Sequence, residues 1–288
     1  MPSDRNSRRP KTGQPTLLIF VKAPVPGHVK TRLCPPLTPV EAAELYQAFA
    51  ADTVAMARRL MRTKRMACRV AYDPHPAAPT PAWLDPTLPW DRQRGRQLGQ
   101  RLIHAGASAF ADGADPLVII GSDTPDLPAT RVLRAFDALR THELVLGPSA
   151  DGGYYLIGLQ RPVPALFRGI DWSTERVLAQ TLERARSLPL RVALLKPHRD
   201  LDAWSDVAVW RDNKRGRAPQ TYRELRTLWS RYGSGSVLRG DAGMPTQRED
   251  LHRAEGPTRG PPRGRTQVAQ DPLPAIDASC QRRVRMVG

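Results

Sequence analysis

A short basic segment, KAPVPGHVKTR at residues 22–32, directly follows an apolar run and carries three cations. Lys22, Lys30 and Arg32 are suited to bind phosphate oxygens through charge-assisted hydrogen bonds. Gly27 would let the backbone approach such a ligand closely, and prolines such as Pro26 would lower the cost of ordering the loop. The spacing is not that of a P-loop. The segment therefore predicts either an anion-binding loop or a stiff surface loop whose cations are solvated.

Carboxylates follow two further apolar segments. Asp123 ends PLVIIGSD, and Asp200 and Asp202 lie in RDLDAW, after RVALLKP. Mg²⁺ and Mn²⁺ prefer oxygen ligands, and two carboxylates on one side of an extended segment repel each other unless a cation neutralises them. Asp123 and the Asp200 and Asp202 pair are therefore candidate metal ligands. A solvated loop or a helix cap remains the alternative for the second pair, and Asp126 is predicted to cap the helix that follows it.

A glycine-rich segment, GPSADGGYYLIG at residues 147–158, permits two interpretations. Its Asp-Gly pair is typical of a β-hairpin turn. Gly147, Gly152 and Gly153 together also suit a backbone that lies against a ligand. Asp151, next to a glycine, is a candidate base that could reach an acceptor hydroxyl group.

Apolar runs alternate with helical patterns between these segments. The helix after residue 38 has a capping box in Thr38 and Glu41, with Pro39 at its first position. Ser173 is predicted to cap a later helix. In chain order, strands are expected at residues 16–21, 68–72, 116–123, 143–148, 154–159 and 191–197. This alternation predicts an α/β fold with a mostly parallel sheet, in which residues 143–159 form one antiparallel pair. Ligands of such sheets bind beyond the carboxyl ends of the strands, where the candidate residues lie.

The formal net charge of +16 would favour nucleic-acid binding if it were spread over the folded part. Most of the excess, however, lies in residues 1–15 and 213–288, which are predicted to be disordered basic tails around a domain at residues 16–212. Nucleic-acid binding is therefore possible only through the tails, and simple solvation of the tails is the favoured alternative. The three cysteines lie far apart and favour neither a disulfide framework nor a cysteine zinc site. With no signal peptide and no membrane-spanning run in the sequence, we expect a cytoplasmic protein.

Several long motifs resemble one bacterial family. KAPVPGHVKTRL, GSDTPDLP, GPSADGGYYLIGL and W-S-T-x-x-V-L at 172–178 occur in the order seen in DUF2064, also called the rSAM/selenodomain-associated glycosyltransferases. The resemblance covers about residues 16–210. It implies a GT-A, Rossmann-like three-layer α/β/α fold, similar to that of the molybdenum-cofactor and 2-phospho-lactate guanylyltransferases.

The resemblance also implies roles for individual residues. Asp123 would be the catalytic metal-binding aspartate of the GT-A type, and Asp202 would help to hold the same Mg²⁺ or Mn²⁺. The nucleotide phosphates would lie near Lys22, Pro26, Gly27, Lys30, Arg32 and Ser122. The acceptor or sugar side would be lined by Asp151, Gly152, Gly153 and Tyr154.

Two departures from the family pattern concern the site. Gln97 stands where the family tends to have an acid in D-L-G-x-R, and the Thr-Pro after the last acidic motif is lost. The expected activity is metal-dependent transfer from an NDP-sugar to an unidentified small acceptor. Nucleotidyl transfer from an NTP and non-catalytic binding of nucleotide or RNA are the alternatives.

Overall fold

A computed structural model describes residues 13–210, 216–233 and 284–287 of the protein. The predicted tail at residues 1–12, and residues 213–215, 234–283 and 288 of the predicted C-terminal tail, lie outside the described residues. So does any nucleic-acid binding by those segments.

The described chain forms an eight-stranded sheet with the order β3-β2-β1-β4-β6-β5-β7-β8. Every neighbouring pair is parallel except those of β6, which runs antiparallel to both β4 and β5. The predicted mostly parallel sheet with one antiparallel hairpin is therefore confirmed. The strands are β1 (Gln14–Lys22), β2 (Ala67–Asp73), β3 (Trp90–Arg92), β4 (Ala114–Ile120), β5 (Leu144–Pro148), β6 (Tyr154–Leu159), β7 (Val192–Leu194) and β8 (Val284–Met286).

Helices cover both faces of the sheet, which explains why its central strands are apolar on successive residues. Leu17 and Ile19 of β1 face one helical layer, whereas Leu18 faces the other, and all three are buried. The first layer contains α1 (Pro39–Thr63) and α3 (Ala129–Ala138), and the second contains α2 (Leu98–Ala111) and α4 (Val177–Arg186). The protein thus has the expected three-layer α/β/α architecture.

The capping box predicted for α1 is confirmed. The Thr38 hydroxyl accepts a hydrogen bond from the Glu41 amide, and the Glu41 carboxylate accepts one from the Thr38 amide. Two other predicted caps are wrong. The helix after Asp126 is capped by Pro128 without a side-chain bond, and α4 begins after Arg176 rather than Ser173. Ser173 instead adopts a left-handed conformation with φ of 66°.

The folded unit extends beyond the predicted limit at residue 212. Two further helices, α5 (Trp204–Trp210) and α6 (Pro219–Tyr232), pack with α1 around a third apolar cluster that includes Leu225 and Leu228. The strand β8 also pairs with β7. Both elements lie in the segment after residue 212 that is predicted to be largely disordered, and most of the remainder of that segment lies outside the described residues. Among the described residues, no helix combines the length and apolar character needed to cross a membrane.

Candidate functional site

A cavity of about 400 Å³ opens at the carboxyl ends of β1 and β4, beside the start of β6. This is the edge at which open α/β sheets bind ligands. Its lining combines apolar and polar side chains. The apolar lining includes Phe20, Leu98, Leu102, Ile119 and Ile157, and the polar lining includes Lys22, Gln93, Arg96, Arg101, Ser122, Asp123 and Tyr154.

The two predicted metal ligands lie together, with a lysine between them. The Lys30 ammonium contacts Asp123 Oδ1 at 2.6 Å and Asp202 Oδ1 at 2.7 Å. Burial opposes the charged form of Lys30, yet the two carboxylates raise its pKa above the ordinary value. Burial would also raise the pKa of Asp123, but Lys30 and Lys22 lower it overall. The structure therefore assembles one cation and two anions from residues that are distant in sequence.

A tyrosine of α1 joins the two strands that carry the site. The Tyr46 hydroxyl accepts a hydrogen bond from the Lys22 amide at 2.8 Å and lies 2.8 Å from the Ser122 hydroxyl. Tyr46 is buried, and this burial raises its pKa above the ordinary value. Neutral Tyr46 thus fixes the end of β1 against the segment that presents Ser122 and Asp123.

A third carboxylate, Asp200, lies close to the first two. It accepts a hydrogen bond from the Thr124 hydroxyl at 2.5 Å. Burial raises the pKa of Asp200 to about 7, and the charges of Asp123, Asp202 and Asp151 act in the same direction. Asp200 therefore ionises less readily than an ordinary aspartate. Neighbouring Asp126 pairs with His198 Nε2 at 3.1 Å instead of capping a helix.

Two arginines that are not among the predicted phosphate ligands line the cavity. Arg96 is exposed at its mouth, and Arg101 pairs with Asp73 at the end of β2. Together with Lys22 they give the cavity three cations. Arg101 is brought there by α2, whose first turn contains Gly99 packed directly against Trp172. In the sequence, only the W-S-T motif and the L-G-x-R spacing pointed to the contact between Gly99 and Trp172.

Other predicted phosphate ligands do not line the cavity. Pro26 and Gly27 form an exposed turn, in which Gly27 has φ of 78°, and Arg32 is exposed on a short 3₁₀ helix at residues 31–33. Of the loop cations, the structure places Lys22 in the cavity and Lys30 on the carboxylates. The phosphate role of the other loop residues stays a prediction.

The glycine-rich segment is a β5–β6 turn, and the carboxylate of Asp151 is bonded within it. Asp151 accepts hydrogen bonds from the Ser149 hydroxyl at 2.5 Å and the Gly153 amide at 3.0 Å. Gly152 has φ of 85°, and a Cβ there would collide with the backbone of Glu175. Of the predicted acceptor-side residues, Tyr154 lines the cavity, whereas Asp151, Gly152 and Gly153 do not.

The Asp123 and Asp202 pair has the donor chemistry of a Mg²⁺ or Mn²⁺ site. Their side chains are 47% and 34% exposed, so both remain accessible from solvent. Mg²⁺ is commonly held by one or two carboxylates, with substrate phosphates and water as the remaining ligands. Within the described residues no cluster of three or more His, Cys, Asp or Glu could hold an ion without such help. The pair fits an ion that receives ligands from a bound phosphate.

The fold and the sequence relate this protein to a known family. Residues 55–174 match the family described as "Uncharacterized protein conserved in bacteria (DUF2064)". A protein of Desulfovibrio desulfuricans G20, provisionally named a nucleotide-diphospho-sugar transferase, is 35% identical. Its alignment covers 76% of this chain and 96% of that chain, with a TM-score of 0.70. This chain belongs to the DUF2064 family. Its fold is that of the nucleotide-diphospho-sugar transferases.

Two further structures show weaker similarity to this chain. Rv0371c of Mycobacterium tuberculosis H37Rv is 16% identical over 68% of this chain and 97% of its own, with a TM-score of 0.45. The 4-diphosphocytidyl-2C-methyl-D-erythritol synthase of Anaerococcus prevotii DSM 20548 is 10% identical over 74% and 98%, with a TM-score of 0.42. Nothing about activity is carried over from these two. No curated protein sequence matches this chain.

Proposed function

We propose that this DUF2064 protein is a metal-dependent transferase that binds a nucleotide-activated donor, an NDP-sugar, in the cavity beside Asp123. The observation that carries this proposal is the placement of Lys22, Arg96 and Arg101 around one cavity whose rim carries Asp123. A diphosphate needs several cationic donors, and an uncharged sugar or base needs an apolar surface. The similarity to a protein provisionally named a nucleotide-diphospho-sugar transferase supports the same class.

Each part of the donor has a matching part of the cavity. Lys22 and Arg96 would bind the phosphate oxygens, because no ion pair in the described part of the chain uses either side chain. Arg101 already pairs with Asp73, so its role would be to fix the shape of the cavity opening. Phe20, Leu102 and Ile157 would contact the uncharged portion of the donor. This division places the diphosphate next to Asp123, and the bond between the sugar and the diphosphate would break there.

Asp123 and Asp202 would hold the divalent ion. When bound, that ion would offset the negative charge that develops on the leaving phosphate group. Ser122 and Tyr46 would keep Asp123 in place, since their hydrogen bonds join the ends of β1 and β4. Asp123 is the one carboxylate in the described lining of the cavity, and a base role for Asp151 stays a hypothesis.

The same arrangement suits nucleotidyl transfer. An NTP and an NDP-sugar both present a phosphate chain that needs cations and a metal. They differ in the leaving group, which is a nucleoside diphosphate in glycosyl transfer and pyrophosphate in nucleotidyl transfer. The donor preference therefore decides between the two reactions.

A thermal-shift panel tests the proposal. The full-length protein would be heated with NTPs, nucleoside diphosphates and NDP-sugars, each with Mg²⁺, with Mn²⁺ or with EDTA. A ligand that binds only the folded state raises Tm by mass action. We expect a metal-dependent rise for one nucleotide class, and we expect Asp123→Asn to remove its metal-dependent part.

The control variant is Asp137→Asn, which changes an exposed carboxylate that does not line this cavity. It should keep the shift of the wild type. A wild-type protein that gains no stability from any nucleotide, with or without metal, would contradict the proposed function.

A further inference from the structure

The ammonium group of Lys30 is fully coordinated by oxygen. It contacts Asp123 Oδ1 at 2.6 Å and Asp202 Oδ1 at 2.7 Å, and it donates to the Leu201 carbonyl at 2.8 Å. A lysine ammonium has three N–H donors and no acceptor. The three oxygens therefore match the full donor capacity of Lys30, and they come from loops after β4 and β7.

The surroundings of Lys30 hold this group in place. Its side chain is 4% exposed, and the ammonium lies 5.3 Å from the centroid of the Phe49 ring. The neighbouring residues Val29 and Leu33 are buried in the cluster formed with α1 and α5. A solvated surface lysine would show none of these features. Lys30 occupies a cation site that is built by the fold.

The backbone conformation of Lys30 is also unusual. Lys30 has φ of 49° and ψ of 35°, the left-handed conformation that residues other than glycine, asparagine and aspartate rarely adopt. A glycine would avoid the strain at this position, but it would supply no ammonium. The local conformation thus directs the side chain from the β1 loop into the space between the two carboxylates.

We propose that Lys30 is the resident cation of the Asp123 and Asp202 pair, and that a divalent ion gains these carboxylates in competition with it. The proposal deepens the proposed function and rests on it for the choice of ion. It changes the role expected for Lys30, from a ligand of the nucleotide phosphates to a ligand of the metal-binding carboxylates.

Simple electrostatics gives the consequence. Lys30 neutralises one of the two negative charges, and a second cation placed on the same oxygens is repelled by the ammonium. In the absence of donor, the ion should bind weakly. A donor diphosphate adds negative charge beside the pair, so it should allow both cations to remain. Metal and donor would then strengthen each other's binding, as linkage requires.

Manganese binding without donor tests the competition. The full-length wild type and Lys30→Met would be titrated with Mn²⁺, and free Mn²⁺ would be measured by electron paramagnetic resonance. Removal of the resident cation leaves two carboxylates without a partner, so we expect Lys30→Met to bind Mn²⁺ at least about tenfold more tightly, equivalent to about 1.4 kcal/mol. Equal affinities, or tighter binding by the wild type, would overturn the proposal.

Lys22→Met is the matched control. Lys22 also lowers the pKa of Asp123, but it makes no direct contact with either carboxylate. Its removal should change Mn²⁺ affinity less than about threefold. Asp202→Asn in the Lys30→Met background should reverse the gain. A gain that survives this change would place the ion elsewhere and overturn the proposal.

A second test uses the wild type, so the proposal can still be tested if Lys30→Met does not fold. The chain has six lysines, so the ammonium signals of a ¹⁵N-lysine-labelled sample can be resolved by NMR and that of Lys30 assigned with Lys30→Arg. Saturating Mg²⁺ should shift or remove the Lys30 signal more than any other. An unchanged Lys30 signal would overturn the proposal. Donor binding in EDTA is measured separately. A protein that binds donor but shows no effect of metal on Lys30 would contradict this proposal alone, whereas a protein that binds no donor would contradict the proposed function.

Discussion

At the residue scale, the site depends on which partner each cation takes. Lys22 ends β1 and Lys30 lies in the loop that follows, and the two lysines look alike in the sequence. The structure gives Lys30 three oxygen partners and leaves Lys22 exposed in the cavity. A buried ammonium without partners would be costly, so Lys30 is committed to the carboxylates. An exposed ammonium such as Lys22 remains able to bind a ligand.

Gln97 occupies a helix-capping position that its side chain does not use. It is the N-cap of α2, and its side chain makes no capping hydrogen bond. The first turn of α2 also contains no acid. An acid at this position would satisfy a free backbone N–H and interact favourably with the helix dipole.

We therefore expect Gln97→Asp to stabilise the protein. The free energy of unfolding should rise by about 1 kcal/mol, which is the usual effect of a good N-cap. Urea denaturation at pH 7 measures the change. Gln97→Ala serves as the control and should leave stability almost unchanged, because the glutamine makes no capping bond that could be lost. A Gln97→Asp protein no more stable than Gln97→Ala would refute this explanation.

At the element scale, α6 is fixed to α1 at both ends. The carboxylate of Asp52 accepts hydrogen bonds from the amides of Gln220 and Thr221 in the first turn of α6. The Glu41 carboxylate accepts one from the Tyr232 hydroxyl at 2.7 Å and pairs with Arg231. Both acids belong to α1. The helix after residue 218 is therefore part of the folded domain.

Glu41 should make stability depend on pH. Burial alone would raise its pKa, but hydrogen bonds from Thr38, Tyr232 and Arg231 lower it to about 2 from an ordinary 4.5. A lowered carboxyl pKa gives stability that is present above the unfolded-state pKa and is lost as pH falls through the folded-state pKa. The relevant window is thus from about pH 4.5 down to about pH 2.

Glu41→Gln should lower the free energy of unfolding by about 2 kcal/mol at pH 7, because it removes charge-assisted hydrogen bonds while keeping the side-chain shape. The difference from wild type should narrow as the pH falls from 4.5 towards 2. Urea denaturation across this range measures it. Glu44→Gln, an exposed change on the same helix, should have little effect at any pH. A Glu41→Gln deficit that does not vary with pH would show that the charge of Glu41 is not its cause.

The sequence predicts local features of this protein well and distant contacts poorly. Apolar runs identify strands such as β1 and β4, and T-x-x-E identifies the start of α1, because these signals lie within a few residues. Lys30 and Asp202 are 172 residues apart in the sequence, and no local pattern predicts that they pair. The helix α6 is largely polar, so its buried positions, Leu225 and Leu228, become evident only when α1 covers them.

At the scale of the whole molecule, one apolar cluster connects α6 to the site. It contains Leu33 from the β1 loop, Leu201 next to Asp202, and Leu225 from α6, all fully or almost fully buried. The cluster thereby supports the backbone on both sides of the Lys30 and Asp202 contact. The three-layer core holds the strands, and this additional cluster holds the loops that carry the charges.

The most direct test of the account asks whether a nucleotide binds in the cavity beside Asp123. Calorimetric titration would use the nucleotide with the largest thermal shift, on the wild type, Lys22→Met and Arg96→Met. Each variant should bind about tenfold or more weakly, since each loses a charge-assisted hydrogen bond to phosphate. Arg94→Met, an exposed change outside the cavity lining, should bind like the wild type. Equal affinity in all four proteins would mean that the nucleotide binds elsewhere, and would contradict the central claim.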